Sequence, residues 1–336
     1  MKIHYISCHS VLEYDEFKLF TEMGLEVFSN GAYRDPKGAY TLPRPAVEGA
    51  TFFEKYSDLA AIHPKTDLPS ELINPFDAIM IMHLPEVLFS NWPKFKNKRI
   101  IWRSIGQSTP SLEARLKPLR DEGLQIVRYS LKEKKLPNFA GLDAIIQFYK
   151  DPDEYSGWIG DTDEVVNFTQ TLLGRRYFCH YDELMRLGEG FNFKVYGTGN
   201  EDLGKFNGGE LPFELMKDKM RRARVCLYAG TWPAPYTLTL IEAMMIGIPV
   251  VAIGKKMAED VQGAEKLDFY QVPEIIENGR NGFISDDIGE LRQTIRYLLD
   301  NHESAKKIGA AGRETAINLF GKDLVKSKWA SFLNKP

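Results

Sequence analysis

Short β-rich runs alternate with helical patterns from one end of this chain to the other, and few architectures accommodate that order. Residues 3–7, 26–29, 77–82, 99–104, 125–129 and 143–148 read as strands; after a pause, 164–169, 193–196, 225–229, 249–253 and 282–285 follow. Helical patterns separate them, among them 213–222 and 238–246. Such alternation predicts βαβ units and parallel sheets. The pause falls at 151–162, rich in Pro, Gly and acidic residues. A single closed barrel has no reason to pause at its middle, so the expected fold class is α/β with two Rossmann-like domains facing a cleft, their parallel sheets flanked by helices. We place the first domain at 1–160, the second at 161–318 and a closing helix at 319–336 that packs back towards the first.

The 336 residues are about twice a usual domain, and with 43% apolar side chains each half can bury a core. The closing helix carries Val325, Trp329 and Phe332 at i, i+4 and i+7, an apolar stripe suited to docking. Leu112, Leu116 and Leu119 mark another helix, which Pro118 is expected to kink or end. Residues 30–69 are rich in Pro, Gly and aromatics without periodicity, and a loop that long is usually functional.

Charge excludes one class of function: 43 basic against 46 acidic side chains leave a net −3, so no global field draws the chain to nucleic acid or anionic lipid. A partner of that kind would need a local patch. Cys8, Cys179 and Cys226 are odd in number and in no metal-ligand spacing, which reads as structural thiols in a reducing compartment. The N-terminus lacks the apolar core of a signal peptide, and no transmembrane segment is apparent. A cytoplasmic chain is expected.

The most informative stretch is 230–254, GTWPAPYTLTLIEAMMIGIPVVAIG. A strand ends in a Gly-Thr-Trp-Pro loop that turns into a helix at about Thr237, and Glu242 lies one to two turns inside. A helix N-terminus offers unpaired N–H groups and a positive dipole end, a natural seat for phosphate. A carboxylate deeper in could accept hydrogen bonds from ribose hydroxyls; the competing reading is a Glu242 that merely caps the helix or pairs with an Arg.

This stretch resembles the donor-binding signature of GT-B-fold glycosyltransferases of the retaining family 4. The resemblance lies in Ala234-Pro235-Tyr236-Thr237-Leu238, Glu242-Ala243-Met244 and Gly247-Ile248-Pro249-Val250-Val251-Ala252, then in 273–283 and the closing helices. It covers roughly residues 160–336. It implies that Glu242 holds the donor ribose and that the backbone around Thr237 and Leu238 binds the diphosphate. Gly197 and Gly199, in a Gly-x-Gly loop after a strand, would let the nucleotide approach. The family's two phosphate-neutralising cations fall on Gln170 and Arg175, with Arg176 adjacent, so one cation is lost. Ala234 stands where the family has the first of two glutamates, the one that contacts the transferred sugar; altered sugar recognition, with a different group taking over, is the expected consequence.

In the first domain the resemblance puts a cleft-facing histidine at His83, which with Arg175 and Glu242 makes up the expected catalytic set. Ser104-Ile105-Gly106-Gln107 matches a second cleft loop, without its usual histidine. His9, Gly106 and Gln107 are the expected acceptor contacts, with Glu13, Asp15 and Glu16 near enough to reach an acceptor hydroxyl.

The implied activity is transfer of a sugar, with retention, from a nucleoside-diphosphate sugar to a hydroxyl-bearing acceptor. The donor expected is a UDP-sugar in preference to a GDP-sugar, with no metal and no permanently bound cofactor. A second reading makes the acceptor a hydroxymethylated base in DNA: the chain looks somewhat like phage glycosyltransferases, and Trp92 to Arg103 interleaves basic and aromatic residues that could contact phosphates and stack bases. A third is a catalytically silent sugar-nucleotide-binding protein, motivated by Ala234. A nicotinamide dehydrogenase is disfavoured because the Gly-x-Gly loop lacks the third glycine.

Overall fold

The computed structural model describes residues 1–7, 9–29, 33, 44–48, 67–264 and 267–334. Cys8 and most of the 30–69 segment lie outside the described residues. The chain divides into two compact units, Met1–Phe148 with Val325–Pro336, and Tyr149–Leu324.

The first unit is built on a six-stranded sheet of order β2-β1-β3-β4-β5-β6, its pairs all parallel. The strands are β1 (Lys2–Ser7), β2 (Glu26–Ser29), β3 (Ala78–Met82), β4 (Arg99–Arg103), β5 (Gln125–Arg128) and β6 (Ala144–Ile145). In β3, Ala-Ile-Met-Ile-Met is buried at every position. A parallel strand covered on both faces has no solvent side, hence a continuous apolar run instead of an alternating one. Helices α1 (Ser10–Glu22), α2 (Pro85–Asn91) and α3 (Pro110–Asp121) connect these strands.

Pro118 does not end α3, which continues to Asp121. Its missing N–H forfeits one bond, but its carbonyl still accepts from Glu122 N, and Leu112, Leu116 and Leu119 keep the face in the core. Residues of the closing helix from Val325 onwards also belong to this unit: the Trp329 ring meets Phe20 edge to face at 5.0 Å, and Arg99 donates to the carbonyls of Leu333 and Phe332 at 2.7 and 2.9 Å.

The second unit has strands β7 (Val165–Phe168), β8 (Phe193–Tyr196), β9 (Asn207–Gly209), β10 (Val225–Tyr228), β11 (Val250–Ile253) and β12 (Phe283–Ser285), in the order β12-β11-β10-β7-β8-β9. Counted from β7, this is the 3-2-1-4-5-6 order of a dinucleotide-binding Rossmann sheet. The edge strand β9, Asn-Gly-Gly, has no strand propensity of its own and is held by pairing with β8 through an irregular register.

Helices α4 (Tyr181–Gly188), α5 (Phe213–Arg222), α6 (Leu238–Ile246), α7 (Ile288–Asp300) and α8 (His302–Phe320) accompany this sheet. Of these, α6 is buried from Leu240 to Ile246 and ends at Gly247 in the left-handed conformation, φ +94°. There α8 comes close enough that a Cβ on Gly309 would strike the Gly247 carbonyl. Among the described residues no helix is long and apolar enough to cross a membrane, and no group of three or more His, Cys, Asp or Glu side chains could hold a metal.

Candidate active site

In an open α/β sheet the connections leave in opposite directions from the two strands flanking the switch in strand order, and a crevice opens at their carboxyl ends. In the second unit those strands are β7 and β10, which pair in parallel through Val225 and Val165. The segments that follow them, 169–180 and 229–237, therefore converge. Arg175 makes the link: Nη2 donates to Thr231 Oγ1 at 3.3 Å and Nη1 to the Gln170 carbonyl at 3.5 Å. Arg176 turns away, exposed and engaged with Asp182 (Nε–Oδ2 2.9 Å), so of the two expected cations only Arg175 reaches the loop after β10.

The loop after β8 is sewn to the loop after β7. Thr171 N–H donates to the Thr198 carbonyl at 2.8 Å, and Asn200, fully buried, donates to the carbonyls of Thr169 (2.7 Å) and Gly197 (3.0 Å) while its Oδ1 accepts from Leu172 N. Gly197 and Gly199 sit at φ +138° and +71°. A Cβ on Gly197 would lie 2.9 Å from the Thr169 carbonyl oxygen, so the glycine is required first by the neighbouring loop. Thr171, β-branched, is held at φ +47°. Strain of that kind clusters at functional loops.

Thr237 is the N-cap of α6 in extended conformation, and its side chain does not cap the helix. Instead its N–H donates to the buried Tyr228 hydroxyl at 2.9 Å, with Thr237 Oγ1 3.2 Å from the same oxygen. Burial holds the Tyr228 phenol well above its ordinary pKa, so it stays a neutral hydroxyl. Thr239 Oγ1 donates to the Phe168 carbonyl at 3.0 Å and ties the first turn of α6, which opens at Leu238, to the end of β7. The N-terminal amides of this nine-residue helix thus stand at the switch point without a side-chain cap, the arrangement that seats anions.

Glu242, one turn into α6, is almost wholly buried. Its Oε1 lies 2.7 Å from Lys150 Nζ and accepts from Tyr155 OH at 3.2 Å. The competing reading is right that the carboxylate is paired, but the partner is Lys150, from the start of the unit, not an Arg. Oε2 makes no hydrogen bond among the described residues, so the pair fixes the carboxylate and leaves one oxygen to accept.

In the first unit the corresponding switch lies between β1 and β3. His83 follows β3 at φ +49°, its ring 5.9 Å from that of Trp102 and its buried Nδ1 without a partner among the described residues. Burial lowers its pKa and keeps it neutral. His9 follows β1 and caps α1, Nδ1 accepting from Leu12 N at 3.4 Å. Gly106, buried at φ +72°, and exposed Gln107 lie in the loop after β4.

One expectation fails in this unit. Glu13 and Glu16 do not face an acceptor: Glu16 is buried against Arg103 at 2.7 Å and accepts from Tyr5 OH at 2.6 Å, while buried Glu13 accepts from Ser29 Oγ. Asp15 is buried as well. Most of the basic-aromatic run is engaged within the unit, Lys96 being exposed and Trp92 half-buried. Phe95, Trp102 and Arg103 are buried, Arg99 is taken by the closing helix, Lys98 donates to the carbonyls of Asn74 and Phe76, and Trp92 Nε1 donates to Glu122. Alternation of basic and aromatic types here reflects a strand and its flanks, whose cations close off carbonyls and carboxylates.

A small pocket beside the loop after β10 is lined by His180, Thr231, Trp232, Ala234, Glu259 and Tyr270 among others. Sequence reasoning had identified only Ala234 there, as an absence. It also missed Lys150, Thr171 and Asn200, none of which carries a signal of spacing; Asn200, directly after the Gly-x-Gly loop, was the most accessible to inspection.

Solved structures similar over the whole length share this fold. HepE from Anabaena, solved with UDP and glucose, superposes with a TM-score of 0.68 at 13% identity, covering 100% of both chains. The fold is GT-B. A sucrose-phosphate synthase from Thermosynechococcus elongatus matches this GT-B chain with a TM-score of 0.66 at 13% identity, covering 99% of this chain and 98% of the other. The T4 phage β-glucosyltransferase matches with 0.55 at 14% identity over 100% of both. Residues 175–320, the greater part of the second GT-B unit, match the family model described as glycosyl transferase-like. No curated protein matches the chain in sequence.

Proposed function

We propose that this chain is a glycosyltransferase that binds a UDP-sugar in its second unit and transfers the sugar, with retention, to an acceptor hydroxyl. The observation that carries the reading is the convergence at one switch point of Arg175, the uncapped N-terminus of α6 and the oriented carboxylate of Glu242. In this reading the amides at Leu238 and beyond, with the Arg175 guanidinium, stabilise the charge that develops on the leaving diphosphate, an electrostatic contribution of the oxyanion-hole type. Glu242 Oε2 accepts from a ribose hydroxyl. Gly197 and Gly199 hold the β8 loop flat beside the nucleotide, while Arg176 contributes to the surface only. The donor phosphate accepts the acceptor proton, in keeping with a family that offers no obvious carboxylate nucleophile. In the first unit, neutral His83 with His9, Gly106 and Gln107 forms the acceptor side.

Support for UDP over GDP comes from HepE, which was solved with UDP-glucose. For the hydroxymethylated-DNA reading, exposed Lys96 and half-buried Trp92 are what the run from Trp92 to Arg103 still offers.

Calorimetric titration with UDP and GDP, followed by a UDP-release assay with UDP-sugars, tests the proposal. Arg175→Ala is expected to weaken UDP binding at least tenfold, the loss of about 1.4 kcal/mol or more for a charge-assisted contact. Failure of the unaltered protein to bind either nucleotide would overturn the reading; binding without turnover in the presence of diverse acceptors would favour the silent binding protein instead.

A further inference from the structure

Ala234 removes the acid that the resemblance places on the transferred sugar, yet the loop around it is not left bare. The pocket against which Ala234 packs draws polar side chains from two other segments: His180, at the N-cap of α4, and Glu259, which ends the short helix Lys255–Ala258. His180 is only 4% exposed, and its ring makes no hydrogen bond among the described residues. Neither ring nitrogen is among the fully enclosed polar atoms, so both can be reached from the pocket. Its backbone is held left-handed, φ +54° and ψ +48°, a conformation histidine adopts at a cost. Burial pushes the imidazole down to about 4, so at neutral pH it is uncharged and offers one donor and one acceptor nitrogen.

Glu259 is positioned by the backbone. Its Oε1 accepts from the amides of Phe269 and Tyr270 at 2.8 and 3.1 Å, which fixes the carboxylate plane, and Oε2 makes no hydrogen bond among the described residues. Two other polar groups of the pocket are committed: Tyr270 OH donates to the Ile253 carbonyl and Thr231 Oγ1 accepts from Arg175. That last bond also joins the pocket to the proposed diphosphate site. What remains is one neutral donor-acceptor, one anionic acceptor and the Trp232 indole N–H, a set that suits the hydroxyl groups of a sugar.

We propose that His180 and Glu259 are the specificity-determining residues of the donor site, holding a hydroxyl of the transferred sugar in the pocket beside Ala234. This rests on the proposed UDP-sugar reading and names the groups that stand in for the missing acid. Neither residue belongs to the resembling motif. The pocket holds about one water-sized group, so it reads a single hydroxyl and leaves the rest of the ring outside.

The test measures dissociation constants of UDP, UDP-glucose, UDP-galactose, UDP-N-acetylglucosamine and UDP-xylose for the full chain, for His180→Asn and for Glu259→Gln. Asn tolerates the left-handed conformation, and Gln keeps an oxygen for the two amides, so both variants should fold; melting curves check this. The expected result is an unchanged UDP affinity in both, with roughly tenfold weaker binding of whichever UDP-sugar the unaltered chain prefers, or a change in that preference. Variants that keep both the preference and the affinity overturn the inference, as does parallel loss of UDP and UDP-sugar binding, which marks a structural role. An unaltered chain that binds UDP but gains nothing from any sugar overturns this inference alone; one that does not bind UDP overturns the proposed function with it.

Discussion

Replacing Lys150 with Met removes one partner of a buried ion pair and leaves the other in place. Lys150 Nζ lies 2.7 Å from Glu242 Oε1, with the side chains 1% and 7% exposed. The carboxylate would keep only the Tyr155 hydroxyl at 3.2 Å. Stranding a buried charge in this way costs about 3–5 kcal/mol. Glu242→Gln instead removes the counter-charge of the ammonium, which keeps the Tyr155 hydroxyl at 3.3 Å and the Tyr155 ring at 5.0 Å, and should cost no more. Removing both charges, as Lys150→Met with Glu242→Gln, deletes the pair without an orphan charge, so its cost should fall short of the sum of the single changes by at least about 2 kcal/mol. Urea unfolding of the four proteins in the cycle measures this coupling, and a coupling within about 0.5 kcal/mol of zero would refute the buried-pair reasoning. UDP affinity separates structure from function in the same variants. Lys150→Met retains both carboxylate oxygens and should bind UDP within a few-fold of the unaltered chain. In Glu242→Gln, by contrast, binding should weaken about tenfold if Oε2 accepts from ribose. Equal UDP binding by the two would remove Glu242 from the site.

Acid should destabilise the protein through His180. Its folded-state value of about 4 lies below the ordinary imidazole value of 6.5, so between these values the unfolded chain holds the extra proton. Stability from this group is therefore intact above pH 6.5 and lost as pH falls towards 4, to a total of about 3 kcal/mol. Unfolding free energies of the unaltered chain and His180→Asn between these pH values should converge as pH falls, and parallel curves would refute the assignment. Cys226, pushed up to about 12 by burial, and buried Cys179 should resist iodoacetamide at pH 8 in the native state and react after unfolding, as peptide mass mapping would report. Gly197→Ala should lower stability by about 1–3 kcal/mol, visible as a drop of several degrees in the melting temperature, because the new Cβ meets the Thr169 carbonyl at positive φ.

The strands were legible because they are parallel and covered on both faces: 78–82 and 249–253 are continuous apolar runs and Ile100-Ile101-Trp102 is a shorter one, and the structure places β3, β11 and β4 there. Pattern failed where pairing instead of residue type makes the strand, as in β9, whose Asn-Gly-Gly is a strand only through β8. It failed again for charged groups. Glu13 and Glu16 look like helix-start acids free to meet a substrate, yet Ser29 and Arg103, their partners, arrive from β2 and β4. Burial of an apolar side chain is written in its local periodicity, whereas the fate of a charge depends on which distant segment brings a counter-charge.

The donor loop follows the same logic. Glu242 and the turn into α6 could be read in the chain because helix N-terminus and carboxylate are neighbours in sequence. Lys150, which fixes the carboxylate, comes from the other end of the unit. Ala234 could be read only as a departure, since a local pattern records what is absent at a position but not what replaces it. The replacement is supplied by topology: the carboxyl end of β7 leads to His180, that of β11 to Glu259, and the β10 loop carrying Ala234 emerges between them in the sheet order. A side chain lost from one loop of a Rossmann switch point can be compensated from the loops of the adjacent strands, because all of them end at the same edge of the sheet. Sugar specificity in such a chain is therefore better sought in the residues that follow β7 and β11 than in the motif that first brings the donor site to notice.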